Sequence, residues 1–147
     1  MCKRVDPRSV AINGFGHVGV HVACQFIMRG YSVCVYDSNG SSTHIRQTMQ
    51  AKLNGLAFGR HLKSYSVSDI QTMLKGFSVA ADLNELVSKG FKVVLECVQE
   101  VLEIKQQVFA DLTALLHQLA ISFYARARRA YQFDSFPWEQ RPHTRVD

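Results

Sequence analysis

Apolar residues along the chain follow two rhythms. Short unbroken runs, "SVAIN" (Ser9–Asn13), "YSVCVYD" (Tyr31–Asp37) and "FKVVLECV" (Phe91–Val98), read as buried strands. Elsewhere the spacing is helical. His17–Arg29 sets Val18, Val20, Val22, Ala23, Phe26 and Ile27 at three- and four-residue intervals, and Gly30 is a natural stop. Ser41 or Ser42 is placed to cap a helix through Ala51. The following "KLNGLAFGRHLKSYS" has no clear period and reads as a loop or broken helix. Ser68–Lys75 predicts a helix ended by Gly76. "FSVAADLNELVSKG" predicts a short strand, then a helix of one to two turns capped by Asp82 and ended by Gly90. Val101–Leu119 predicts a longer helix in which Leu102, Val108, Phe109, Leu112, Leu115, Leu116 and Leu119 share a face.

Strand, glycine turn, helix, glycine and strand within about thirty residues form a βαβ unit. The turn is Gly14-Phe15-Gly16-His17-Val18-Gly19, a G-x-G-x-x-G pattern that follows one predicted strand and opens a predicted helix. That context gives each glycine a task. Gly14 allows a tight turn, Gly16 lets backbone approach a pyrophosphate, and Gly19 lets helix and strand pack closely. The pyrophosphate would meet the free N–H groups at the helix head. Asp37 ends the second strand, 23 residues after Gly14. A carboxylate there accepts hydrogen bonds from ribose hydroxyls and repels a 2′-phosphate, which favours NAD over NADP. His17 is a variable position of the pattern, read as offering its backbone N–H to phosphate rather than as a catalytic base. The other histidines lack an acid that the sequence places beside them.

These features predict an α/β chain: a doubly wound, Rossmann-type, mainly parallel sheet of five or six strands with helices on both faces. The expected division is an NAD-binding domain over 8–120 and a divergent, irregular, basic tail over 121–147. "AISFYA" is a candidate for one last strand.

Composition narrows the picture. The chain has 147 residues, a hydrophobic content of 47% and a net charge of +5. One domain with a short appendage fits that length. Much of the positive charge sits at the ends, and no basic stripe interleaved with aromatics supports nucleic-acid binding. Cys2, Cys24, Cys34 and Cys97 form no C-x-x-C pair and have no histidine at zinc-ligand spacing. Cysteines embedded in apolar runs suit a reducing compartment. No run approaches a membrane span, and "MCKRVDPRSV" has no apolar signal core. The expectation is a soluble, cytoplasmic chain, with a mitochondrial address disfavoured by Asp6 and the immediate first strand.

"VVLECVQEVLEIKQQVFADLTAL" (Val93–Leu115), with the glycine pattern, resembles the 3-hydroxyacyl-CoA dehydrogenase family, and looks closest to its lambda-crystallin (L-gulonate 3-dehydrogenase) branch. The residues that carry this are the strand "VVLEC", Glu100 after a short link, and Lys105 before "QQVFADL". "FSVAADLNEL" also matches the family's short strand before a helix beginning Asp-Leu. The resemblance covers about Val10 to Leu116. It implies an NAD-dependent oxidation of a secondary alcohol to a ketone, on an acyl-CoA or a sugar acid such as gulonate. It also implies a cofactor site formed by Gly14, Phe15, Gly16, His17, Val18, Gly19, Asp37, Glu100 and Lys105.

The chain departs from the family after Leu119. Members continue with a strand ending in Ser-Asn-Thr or Ser-Ser-Thr-Ser, a catalytic histidine in a His-x-x-Asn-Pro setting, an orienting glutamate, and a helical second domain that makes the dimer. Here Ser122 falls inside "LAISFYARARRAYQF", and His143 in "RPHTRVD" has no such setting. No catalytic residue carries over. Two readings stand: the cofactor half of such an oxidoreductase, inactive alone, or a non-catalytic NAD-binding module that senses cofactor or pairs with a full-length relative. A basic nucleic-acid-binding tail on the same core is a weaker third.

Overall fold

The computed structural model describes residues 7–58, 65–91 and 93–119. In chain order the elements are β1 (Ser9–Asn13), α1 (His17–Ile27), β2 (Ser32–Tyr36), α2 (Ser42–Phe58), α3 (Val67–Lys75), β3 (Phe77–Val79), α4 (Leu83–Ser88), β4 (Val94–Glu96) and α5 (Leu102–Leu119). The four strands form one sheet in the order β3-β2-β1-β4, and every neighbouring pair is parallel. Parallel neighbours cannot be joined by tight turns, so each strand leads into the next through helix.

Both faces of the sheet are covered, which is why the strand runs are unbroken rather than alternating. β1 is buried at all five positions. Val10, Ile12, Val33 and Val35 pack with Ala23, Cys24 and Ile27 of α1, Ile45, Met49 and Leu53 of α2, and Ile70 of α3. Ala11 and Cys34 belong to the opposite cluster, with Leu86 and Val87 of α4 and Leu112 of α5. The sheet thus has a helical layer on either side, as the expected doubly wound architecture requires.

Helix ends follow local chemistry. Ser66 and Asp69 form a reciprocal capping box at the head of α3. Asp82 accepts from the Glu85 amide at 2.7 Å to start α4, and Ser41 accepts from the His44 amide at 3.2 Å to start α2.

Five details differ from expectation. α2 runs through Lys52–Phe58, where a loop or broken helix was expected. Ile45, Met49 and Leu53 are buried on one face of it. Three anchoring residues in a largely polar helix suffice once the sheet covers them, although their pattern is too sparse to stand out locally. β4 is shorter than Phe91–Val98, because only Ala11, Ile12 and Asn13 of β1 offer it partners. Leu102 is 42% exposed, and the buried stripe of α5 begins instead with Lys105 and continues through Phe109 and Leu112. Val18 is 61% exposed rather than packed with the apolar face of α1. Four strands are described against an expectation of five or six. The candidate strand "AISFYA" and the expected tail over 121–147 lie outside the described residues.

Cys24, Cys34 and Cys97 are free thiols. Burial pushes the Cys24 thiol up to about 11, and it donates to the Met49 sulfur at 3.5 Å. It behaves as a small apolar side chain between α1 and α2. Among the described residues, no helix is long and apolar enough to cross a membrane.

Leu112 is fully buried and ties α5 to the face of the sheet that carries Ala11 and Cys34. Leu112→Ala is expected to lower unfolding stability by about 2–5 kcal/mol, read as a shifted urea midpoint with an unchanged slope.

Candidate functional site

The carboxyl ends of β1, β2 and β4 lie along one edge of the sheet, because all its strands run the same way. β1 leaves that edge through Gly14, whose φ is +102°. Its amide donates to the Tyr36 carbonyl at 2.7 Å. A Cβ at this position would lie 2.6 Å from both the carbonyl carbon and oxygen of Cys97, so the turn presses directly on the backbone leaving β4. Only glycine meets both demands without strain.

Gly19 is tight for a different reason: its Cβ would overlap the Gly14 carbonyl oxygen, so α1 could not fold back against its own turn. Gly16 is the opposite case. A Cβ there would meet nothing within 4 Å. Gly16 caps α1 without any side-chain hydrogen bond, and the first turn of α1 holds no acid. Side chains cap α2, α3 and α4, whereas the head of α1 is left to backbone N–H groups beneath open space. Those are the properties of a seat for an anion brought close to backbone.

Asp37 follows β2 directly and is half-buried. One carboxylate oxygen accepts from the Phe15 amide at 2.6 Å, and the other accepts from the Asn39 amide at 2.8 Å. The carboxylate is therefore fixed in orientation and tied to the glycine turn. Each oxygen keeps a further lone pair for a ligand hydroxyl.

On the other side of Gly14, the backbone leaving β4 is anchored by the Cys97 amide donating to the Asn13 carbonyl at 2.7 Å. Lys105, in the first turn of α5, reaches back and pairs with Glu96 at 3.0 Å and Glu100 at 3.1 Å. The Glu96 side chain is 4% exposed and that of Glu100 65%. Burial works against the Lys105 ammonium, but the two carboxylates outweigh it and hold its pKa above the ordinary 10.5. Burial, reinforced by Glu96 and opposed by Lys105, pushes the Cys97 thiol up to about 11. That thiol is protonated at neutral pH.

The sequence-predicted residues thus form two groups. Gly14–Gly19 and Asp37 are joined by the Phe15 amide, and Glu100 and Lys105 are joined by their ion pair. The contact of Gly14 with Cys97 sets the groups side by side. The Phe15 ring is buried in the core, 6.0 Å from the ring of Phe77, so only its backbone faces the turn. His17 and Val18 stand exposed at the head of α1. Sequence reasoning missed Glu96. Its signal was a carboxylate in an otherwise apolar strand run. Among the described residues, no cluster of ligating side chains could hold a metal ion. A shallow groove of about 420 Å³ opens at the opposite, amino-terminal edge between Tyr31, Tyr65, Asp69 and Met73. It is remote from the glycine turn.

Residues 9–123 match the family model described as the NAD binding domain of 3-hydroxyacyl-CoA dehydrogenase. Comparison with curated proteins finds no significant match. Similar solved structures include FadB2 of M. tuberculosis, 20% identical with a TM-score of 0.67 over 82% of this chain and 41% of that one. They also include 3-hydroxybutyryl-CoA dehydrogenase of Escherichia coli K12, 26% identical with a TM-score of 0.60 over 74% of this chain and 22% of that one. The dehydrogenase part of multifunctional enzyme 1 from C. elegans is 20% identical with a TM-score of 0.65, over 84% of this chain and 27% of that one. The chain spans less than half the length of each.

Two substitutions separate the roles of the glycines. Gly14→Ala is expected to cost more than about 2 kcal/mol, through positive-φ strain and displacement of the β4 exit. Gly16→Ala should leave the thermal midpoint almost unchanged. Paired melts followed by circular dichroism check both. A raised folded pKa also has a sign: the stabilisation from Lys105 is complete below its ordinary value and is lost as pH rises through the raised one. The stability deficit of Lys105→Met should therefore be flat from about pH 6 to 9 and shrink above the ordinary 10.5.

Proposed function

Because the chain belongs to the 3-hydroxyacyl-CoA dehydrogenase family, as its NAD-binding domain, we propose that it seats NAD along the carboxyl edge of β1, β2 and β4. The open space above Gly16 at an uncapped helix head carries this reading. Backbone N–H groups of Gly16, His17 and Val18 take the pyrophosphate. Gly14 and Gly19 shape the turn, and Phe15 contributes backbone only. Asp37 accepts from the adenosine ribose hydroxyls and disfavours a 2′-phosphate. Glu100 and Lys105 take the nicotinamide side. When bound, NAD supplies the hydride acceptor for oxidation of a secondary alcohol to a ketone.

The substrate is an acyl-CoA or a sugar acid, the latter in keeping with the lambda-crystallin branch that "VVLEC", Glu100 and Lys105 resemble. Such a reaction needs a base beside the substrate hydroxyl. Among the described side chains no histidine forms an ion pair with an acid, and no His-x-x-Asn-Pro run occurs in the sequence. In the family that the chain resembles, the base, the substrate-binding half and the dimer contacts lie beyond the NAD-binding domain. Val101, Leu102 and Ile104, each more than 40% exposed at the start of α5, suit docking of such a half. The same observation favours a second reading, a non-catalytic NAD-binding module that pairs with a full-length relative or senses cofactor.

Titration with NADH and NADPH, followed by nicotinamide fluorescence, tests the proposal. The chain is expected to bind NADH more tightly than NADPH, and to turn over neither 3-hydroxyacyl-CoA nor gulonate. Gly16→Val, which fills the open space, should weaken NADH by more than about tenfold while leaving the fold intact. Asp37→Ala should weaken NADH and narrow the gap to NADPH. Undiminished binding by a folded Gly16→Val would sink the glycine site.

A further inference from the structure

We infer that Glu96 is a positioning residue for the cofactor site: it fixes the Lys105 ammonium and the backbone beneath the glycine turn as one unit. The inference rests on the reading that Lys105 contacts NAD, and goes beyond it by assigning a role to a carboxylate outside the expected site.

The geometry is that of a doubly anchored buried acid. Glu96 is the last residue of β4 and lies opposite Asn13, the last residue of β1. One carboxylate oxygen accepts from the Val98 amide at 2.5 Å, and the other accepts from Lys105 Nζ at 3.0 Å. The Val98 nitrogen is in turn among the atoms nearest to Gly14, 2.8 Å from where a Cβ would stand. A single side chain therefore holds both the floor of the glycine turn and the one basic group in the first turn of α5.

Lys105 has two carboxylate partners of unequal character. Glu100 is mostly exposed, and an ion pair of that kind is worth little and is cheaply exchanged. Glu96 is buried, and a charge-assisted bond inside the protein is stronger and lacks competition from water. Without a holder, a lysine side chain carries many rotamers and a mobile ammonium. With Glu96 in place, the ammonium is preset before cofactor arrives, and its third donor is left for a ligand oxygen. Two of the three ammonium donors are committed to these acids.

The test measures NADH affinity by nicotinamide fluorescence on the full chain, with circular dichroism melts alongside. The variants are Glu96→Gln, Glu96→Asp, Lys105→Met and the double Glu96→Gln/Lys105→Met. Glu96→Gln and Lys105→Met should each weaken NADH by about ten- to a hundredfold. The double variant should bind no worse than Lys105→Met, because Glu96→Gln keeps an oxygen for the Val98 amide and gives up only the charged hold on Lys105. Glu96→Asp keeps the charge and should recover part of the loss. Should Glu96→Gln fail to fold, Glu96→Asp decides: affinity between parent and Lys105→Met supports the role, and parent affinity overturns it. Losses from Glu96→Gln and Lys105→Met that add in the double variant, or a folded Glu96→Gln that binds as the parent does, overturn the positioning role alone. Parent affinity in Lys105→Met overturns the assignment of Lys105 to the cofactor, and this inference with it, while the outcome for Gly16→Val still judges the glycine site separately.

Discussion

The close approach of Gly14 to the Cys97 carbonyl is the constraint on which the site depends. β1 and β4 are hydrogen-bonded neighbours, and both chains must leave the same edge of the sheet within a few ångströms of one another. A side chain on Gly14 would force the β4 exit outward. The distance between the glycine turn and the start of α5 would then no longer be set by the sheet. With hydrogen there, the turn reverses tightly enough for α1 to start at His17, for Gly19 to lie on the Gly14 carbonyl, and for the Phe15 amide to reach Asp37. Steric exclusion thus does what hydrogen bonds alone could not: it makes three strand ends share one surface.

Strand order explains why that surface lies where it does. The chain builds β1, β2 and β3 in one direction, then crosses back over the sheet through α4 to lay β4 on the far side of β1. Helices α1 and α4 consequently sit on opposite faces, and the connections leaving β1 and β4 diverge. In open parallel sheets this reversal leaves a crevice at the carboxyl ends of the two strands. Gly14–Gly19 lie on one side of it and Cys97–Lys105 on the other. The small residues Ala11 and Cys34 let the α4–α5 layer pack closely on its face, and the β-branched Val10, Ile12, Val33 and Val35 fill the face beneath α1 and α2.

Charge at the site is arranged by burial. Asp37 directly follows β2 and Glu96 ends β4, and both carboxylates accept a backbone amide that fixes their direction. Asp37 remains half-open towards the turn. Glu96 is closed off and spends its remaining oxygen on Lys105. A lysine in the buried stripe of a helix would be costly to leave unpaired. Here it is tolerated because its ammonium meets two acids.

Much of this was legible in the residues. The unbroken apolar runs, the caps at Asp82 and at Ser41 or Ser42, and the three glycines each depend on neighbours a few positions away, so period and local chemistry sufficed to find them. The glycine pattern also announced its ligand class, since the turn, the helix head and Asp37 occupy one contiguous βαβ unit. The rest was decided by tertiary structure. Strand order set the length of β4, because a strand extends only as far as its neighbour pairs with it. The sheet supplied the cover that lets a sparsely apolar α2 continue to Phe58. The burial of Lys105 and the role of Glu96 were beyond local reading, because a charged residue in a strand or helix discloses its partner only when the chain has brought the two together. Sequence by itself determined which segments are strand or helix and how the glycine turn is built, because both act over short range. Folding alone decided which acid holds Lys105, because that pairing depends on β4 lying beside β1.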